Sequence, residues 1–363
     1  MRQSGSTHSF RNALTKRRAE RMLAVSVGLL GVLAVAAAPA SAKPGSRIIW
    51  TRFERGGANS ARLVYARANG SDLRRLTFPG SHTQDVNAAI SPDGRQIAFE
   101  RDLNDGDSSK IVLKGARGDH QRVPDLGCTD PCVFLDAPTW LNGGQRIAYT
   151  PVIGPFDQVN HSARSAVLHT ARTDGSDVRR LSQPGIDGKF EDYHARFSPD
   201  GSYVVFDRVR NADVHEALFR MAADGSDVHR LTPWKLDAAD EDLSPARSGP
   251  TKNRIAFQTY GQGPPSGESQ NIATVPATCA PVSECRAKIR YVTHRTGGEV
   301  QSFTPSWSPH GRRIAYVKFK TGDRHHPFVG DIWTSRPDGS HRRPVTTSPL
   351  FDFGPEWGPV PRG

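Results

Sequence analysis

Five aspartates recur along this chain at intervals near one or two multiples of about 50 residues: Asp85, Asp136, Asp192, Asp242 and Asp352, with Ser302 where a further one would fall. Carboxylates gathered in one place can hold a cation or a cationic ligand, or act as an acid–base pair on a glycosidic bond. Tyr193 and His194 follow Asp192 directly and make it the most site-like of the five. The plainer reading is local: a short Asp side chain capping backbone N–H groups where a strand begins. His161, His325 and His326 share no spacing and read as surface histidines, and Asp240-Glu241-Asp242 lacks the alternation of a calcium loop and reads as a solvated crossing. A Gly-x-Ser-x-Gly elbow, a His-Glu-x-x-His pair and a phosphate-binding glycine loop are all missing from the sequence, so no catalytic residue and no metal ligand is assigned.

The elements that must position these aspartates are short strands. One strand pattern recurs as Arg47-Ile48-Ile49-Trp50, Gln96-Ile97-Ala98-Phe99, Arg146-Ile147-Ala148-Tyr149, Tyr203-Val204-Val205-Phe206, Arg254-Ile255-Ala256-Phe257 and Arg313-Ile314-Ala315-Tyr316. Ahead of it stands a tight turn such as Ser91-Pro92-Asp93-Gly94 or Ser198-Pro199-Asp200-Gly201, where Pro presets one φ and Asp-Gly supplies left-handed positions. Behind it, Asn69-Gly70-Ser71, Asp174-Gly175-Ser176, Asp224-Gly225-Ser226 and Asp338-Gly339-Ser340 mark a second hairpin. No amphipathic helix interrupts the series. An all-β array of four-stranded units with this period predicts a propeller.

The first repeat lacks its opening strand, and Phe353-Gly354-Pro355-Glu356-Trp357-Gly358-Pro359 has the pattern of that strand with nothing after it. The expected architecture is therefore a six-bladed β-propeller of four-stranded blades over residues 43–363, its ring closed by the C-terminal strand completing the first blade. That closure hides edges which would otherwise pair with other chains. The connections at 53–62, 101–110, 150–166, 207–217, 258–271 and 318–331 are the long ones and lie on one face. That face, around the central channel, is the expected working surface, and the recurring aspartates should stand at its mouth.

With its Ser-Pro-Asp-Gly turns and Asp-Gly-Ser-x-x-x-Arg-Leu-Thr hairpins, the chain resembles the TolB-like exported propellers built from the WD40-like PD40 repeat. The resemblance covers nearly all of 47–357 and implies the fold. It does not extend to the α/β domain that precedes the TolB propeller, which puts a Tol–Pal envelope role in doubt.

Residues 1–42 read as an export signal: Arg2, Arg11, Lys16, Arg17, Arg18 and Arg21, then an apolar run from Met22 to Ala38, then Ala40-Ser41-Ala42. Cleavage there would leave a mature chain from Lys43, secreted or in the cell envelope or periplasm, with no transmembrane anchor. The formal charge of +11 then falls to about +6, too mild for a nucleic-acid footprint. In an exported chain the four cysteines are expected as disulfides, Cys128 with Cys132 and Cys279 with Cys285. Together these features predict a monomeric, non-enzymatic binding or scaffold propeller. It would engage an envelope or extracellular protein, peptide or glycan and need no cofactor, although the channel-mouth carboxylates could hold a cation. The alternative is a glycan lyase or hydrolase working through the channel-mouth carboxylates.

Overall fold

A computed structural model describes residues 45–54, 61–154, 163–184, 189–260, 269–296, 300–321 and 328–360. The export signal, His161, His325 and His326, and parts of four of the long connections lie outside the described residues.

The chain opens with β1 (Ser46–Phe53), β2 (Ala61–Arg67) and β3 (Arg74–Arg75). Then come β4 (Gln84–Ile90), β5 (Gln96–Leu103) and β6 (Ser108–Gly115), followed by β7 (Cys132–Trp140), β8 (Arg146–Ile153), β9 (Ser165–Ala166), β10 (His169–Arg172) and β11 (Arg179–Arg180). The next group is β12 (Phe190–Phe197), β13 (Tyr203–Arg210), β14 (His215–Ala222) and β15 (His229–Arg230). After it stand β16 (Ala238–Leu243), β17 (Arg254–Thr259), β18 (Asn271–Pro276), a short helix α1 (Val282–Ala287) and β19 (Arg290–Tyr291). The chain ends with β20 (Val300–Trp307), β21 (Ile314–Thr321), β22 (Phe328–Ser335), β23 (Arg343–Pro344) and β24 (Phe351–Pro359).

These strands make an all-β propeller, but not six blades of four strands. Hydrogen bonding sorts them into five sheets of eight, five, four, four and three strands. Only β12–β15 and β16–β19 are plain four-stranded sheets. The eight-stranded sheet exists because Gly330 of β22 pairs in parallel with Phe351 of β24 and joins what the repeat would keep apart. A side chain at Gly330 would collide with the Phe351 ring, so the approach depends on glycine. The three-stranded sheet arises because its outermost strand shrinks to one bridge, Leu113 to Arg122. The C-terminal strand β24 does pair antiparallel with β1, from Ser46–Pro359 to Phe53–Phe351, and closes the ring.

The repeat's aromatics form the core. Trp50, Phe99, Tyr149, Phe206, Phe257 and Tyr316 are all essentially unexposed between neighbouring sheets. Each such side chain stabilises the fold by about 2–3 kcal/mol. Both disulfides are present, Cys128–Cys132 and Cys279–Cys285, and no free cysteine remains among the described residues. The second ties Cys279 to Cys285 within α1, a helix the sequence pattern did not signal. Two expected long loops are short. β5 and β6 stay paired out to Leu103–Ser108, and β13 and β14 out to Arg210–His215. There the polar residues continue the strands because each still finds a ladder partner.

Candidate functional site

The channel is walled by the inner strands β4, β7, β12, β16, β20 and β24, each packed on the next around the ring. Each inner strand slips register against its neighbour once within its length, and β7 slips a second time at its start, between Cys132 and Phe134. At each of the six shared slips one residue takes a positive φ: Asn87 50°, Ala137 50°, His194 54°, Asp240 53°, Thr304 48° and Gly354 61°. A β-bulge bends the strand and re-aims its side chains. A non-glycine residue there costs free energy that the surrounding ladder must outweigh. The bulges divide the wall into levels.

Two residues before the bulge stand Asp85, Leu135, Asp192, Ala238, Ser302 and Asp352. The three aspartates are fully buried, and each takes two hydrogen bonds from an arginine on the adjacent strand. Arg101 donates to Asp85 at 2.6 and 2.9 Å, Arg208 to Asp192 at 2.6 and 3.0 Å, and Arg52 to Asp352 at 2.6 and 2.8 Å. Each guanidinium also lies over the repeat aromatic: Arg101 over Phe99 at 5.5 Å, Arg208 over Phe206 at 5.4 Å, Arg52 over Trp50 at 5.7 Å. Opposite Leu135, Ala238 and Ser302 stand Pro151, Thr259 and Lys318 instead. Aspartate and arginine thus come and go together. Burial pushes the Asp192 carboxyl up, against the opposing pull of Arg208. These aspartates bind arginine side chains, not the backbone N–H groups that strand capping would use.

At the bulge itself the residues form two polar arcs. In the first, Asn87 donates to Glu100 Oε2 at 2.8 Å and to Asp136 Oδ1 at 3.3 Å. Burial, then the Asp136 and Asp102 charges, raise the Glu100 carboxyl far above its usual range. Burial lifts Asp102 to about 7. In the second, His194 Nδ1 lies 3.0 Å from Asp207 Oδ1 and its Nε2 lies 3.7 Å from Asp240 Oδ1. Beside them is Glu241, 1% exposed, with no hydrogen-bond partner on either carboxyl oxygen. Burial, with Asp207 next, drives its pKa well up. Tyr193 is elsewhere, packed between sheets with its hydroxyl donating to Glu191 at 2.6 Å. Asp240-Glu241-Asp242 is no solvated crossing: it is the middle of β16, and its members lie on the channel wall.

Two residues past the bulge the six inner strands are linked in a closed circuit. Trp140 Nε1 donates to Ala89 O at 3.0 Å, and Arg196 Nη1 to Thr139 Oγ1 at 2.9 Å. Arg196 Nε is 3.5 Å from Asp242 Oδ1, and Asp242 accepts from Trp307 N at 2.6 Å. Ser306 Oγ accepts from Trp357 N at 2.9 Å, and Glu356 Oε1 from Ile90 N at 3.4 Å, which returns to β4. Burial works against the Arg196 charge, but Glu356, Asp242, Glu241 and Asp240 outweigh it and raise its pKa. Burial in turn lifts Glu356 to about 7.

Of the residues singled out by sequence, the structure joins His194 to Asp207 and Asp240, Asp136 to Glu100, and Asp242 to Arg196. It leaves Asp85, Asp192 and Asp352 in separate ion pairs. Sequence reasoning missed Glu100, Asp207, Arg196 and Glu356. Glu100 and Asp207 had a signal, being the two carboxylates directly after a repeat aromatic. Among the described residues no group of three or more His, Cys, Asp and Glu is arranged to hold a metal ion.

With this geometry, comparison with solved structures is informative about fold. TolB from Acinetobacter baumannii superposes with a TM-score of 0.62 at 19% identity, covering 86% of this chain and 66% of that one. The fold is that of the TolB-like β-propellers. A second protein assigned as TolB, from Agrobacterium tumefaciens, gives 0.57 at 14% identity over 88% of this chain and 99% of that one. Hydrazine synthase of Kuenenia stuttgartiensis gives 0.64 at 12% identity over 88% and 48%. No family profile and no curated protein matches the sequence.

Proposed function

We propose that this TolB-like propeller is an exported, non-enzymatic binding module whose ligand brings a positive group to the arc of His194, Asp207, Asp240 and Glu241. The single observation that carries this reading is Glu241. A carboxyl buried on the channel wall without a hydrogen bond, and with only the through-space charge of Arg196 to offset it, costs several kcal/mol as an ion, so it either keeps a proton or awaits a cation. Because the arc is not shaped for a metal ion, the cation is the ammonium or guanidinium of a protein or peptide partner. Export is supported by the two disulfides, which belong to oxidising compartments. Among the described residues no helix is long and apolar enough to cross a membrane.

The test is calorimetry at low salt with tetra-arginine and tetra-glutamate peptides. The arginine peptide binds, and Glu241→Gln weakens it by about tenfold, as loss of a buried charge partner should. Equal affinity for both peptides, or an unchanged affinity in Glu241→Gln, rejects the reading. The Glu100–Asp136 pair favours a second one, since two carboxylates bridged by Asn87, with Glu100 raised by burial and by the Asp136 charge, are the outline of an acid–base site. That reading requires turnover on a glycan panel, abolished in Asp136→Asn with the melting temperature unchanged.

A further inference from the structure

The dipeptide Asn-Gly occurs twice in the chain, as Asn69-Gly70 and Asn142-Gly143. Glycine leaves its own amide nitrogen unshielded, so that nitrogen can attack the asparagine carboxamide and release ammonia. The two copies are held in opposite ways. Asn69-Gly70 forms the β2–β3 turn and is closed by hydrogen bonds. Gly70 N donates to Arg67 O at 2.8 Å, and Asn69 Oδ1 accepts from Ser71 N at 3.1 Å and from Ser71 Oγ at 2.8 Å. A Cβ on Gly70 would stand 2.4 Å from Val345 O, so this turn is also pressed onto the neighbouring strands. Asp174, Asp224 and Asp338 occupy the place of Asn69 in other units and accept the same bond from Ser176, Ser226 and Ser340 N.

Asn142-Gly143 lies on the β7–β8 turn, and both residues are exposed. Pro92, Pro199 and Pro309 stand where Asn142 does in other units, so the dipeptide here is a departure from the repeat. Among the described residues Gly143 N makes no hydrogen bond. Gly143 takes a φ of 89°, and a Cβ on it would meet nothing within 4 Å, so its nitrogen is open to solvent. Only the carboxamide is tied. Asn142 Nδ2 donates to Ser198 O, on the β12–β13 turn of the next sheet, at 2.6 Å. On the other side, a Cβ on Gly144 would lie 3.8 Å from the Pro92 ring. The turn therefore bridges its two neighbours, and Asn142 supplies a side-chain bond on one of them.

We propose that Asn142 is a deamidation site, and that its conversion loosens the seam between the β7–β8 and β12–β13 turns. Hydroxide takes the Gly143 N–H proton, and the nitrogen bonds to Asn142 Cγ. The Cγ–Nδ2 bond breaks, and ammonia leaves with a proton from water. Water then opens the succinimide ring at either carbonyl and leaves an aspartyl or an isoaspartyl residue; nothing is oxidised or reduced. Either product lacks the N–H donor, and the aspartyl carboxylate, which only accepts, faces the Ser198 carbonyl. At Asn69 the aspartyl product would keep the bonds of its turn, as the other units do. The site stands apart from the channel and does not depend on what binds there.

The experiment is incubation of the unaltered protein in mildly alkaline and in mildly acidic buffer, followed by peptide mass mapping for the replacement of NH2 by OH. Asn142 should convert in the alkaline buffer and stay intact in the acidic one. Asn69 should convert about tenfold more slowly, because its hydrogen bonds must open first. In concentrated urea the two sites should convert alike, which assigns the difference to the fold. Asn142→Asp should lower the melting temperature by about 2–4 °C through the lost bond, and Asn69→Asp should leave it unchanged. An intact Asn142 in the alkaline buffer, conversion at Asn69 as fast as at Asn142 in the folded protein, the same ratio of rates in urea, or an unchanged melting temperature in Asn142→Asp each overturns the proposal.

Discussion

The outer rim and the inner wall of the ring follow opposite rules. At the rim the repeat is nearly literal: Gly225 and Gly339 each take a positive φ and set their backbone on a carbonyl of the neighbouring sheet, Leu181 and Val292. On the inner wall the bulge repeats but its residue does not, and Asn, Ala, His, Asp, Thr and Gly fill the same place. Buried charge concentrates on that wall, whereas Arg74, Arg75, Arg179 and Arg180 at the rim are exposed. Repetition therefore builds the scaffold, and departures from it mark where ligands would be met.

The comparison breaks most severely if the closure is removed. Ending the chain at Ser348 deletes β24, bares β1 and cuts the inner circuit at Glu356 and Trp357. We expect loss of cooperative unfolding, seen by circular dichroism. A variant melting as the full chain does would show that the ring does not rely on β24. Next, Asp192→Ala leaves Arg208 buried without its partner and should cost about 3–5 kcal/mol in denaturant unfolding. A rim change of similar kind, Gly225→Ala, should cost about 3 kcal/mol, since the new Cβ meets the Leu181 carbonyl at a left-handed φ. If Gly225→Ala were neutral, the rim would be looser than described.

The smallest effect is in the pH response. Glu100, Asp102, Glu241 and Glu356 have folded pKa values above their unfolded ones, Asp102 and Glu356 at about 7. The folded state thus binds protons more tightly, and stability falls as pH rises from the unfolded carboxylate range of about 4 towards 7. Melting temperature should decline across that window, and Glu356→Gln should flatten the decline. A rise over the same window would mean these carboxyls are ionised and paired in the folded protein.

Much of the scaffold was legible because strands and turns announce themselves locally. The aromatic after two small or aliphatic residues is core in every unit, and Asp-Gly-Ser is a turn in each unit that carries it. The sheet count was not legible, because the fusion through Gly330 and Phe351 joins strands that no local pattern links. The recurring aspartates were visible, but not their equivalence. Asp85, Asp192 and Asp352 share a level, while Asp136 and Asp242 lie nearer to and beyond the bulge, since the bulge adds a residue that spacing alone does not reveal. An arginine two places after the aromatic, present at Arg52, Arg101 and Arg208, was the available clue.

By itself the sequence determined an all-β propeller and the closing role of the C-terminal strand, through turn chemistry and alternation, and the cysteine pairs, through their short spacing in an exported chain. Only the tertiary structure decided how many sheets the strands form, which carboxylates are bound by arginine, and that the Glu241 carboxyl is left without a hydrogen bond. Those outcomes are set by contacts between residues far apart in the chain, and burial changes what each charge can do.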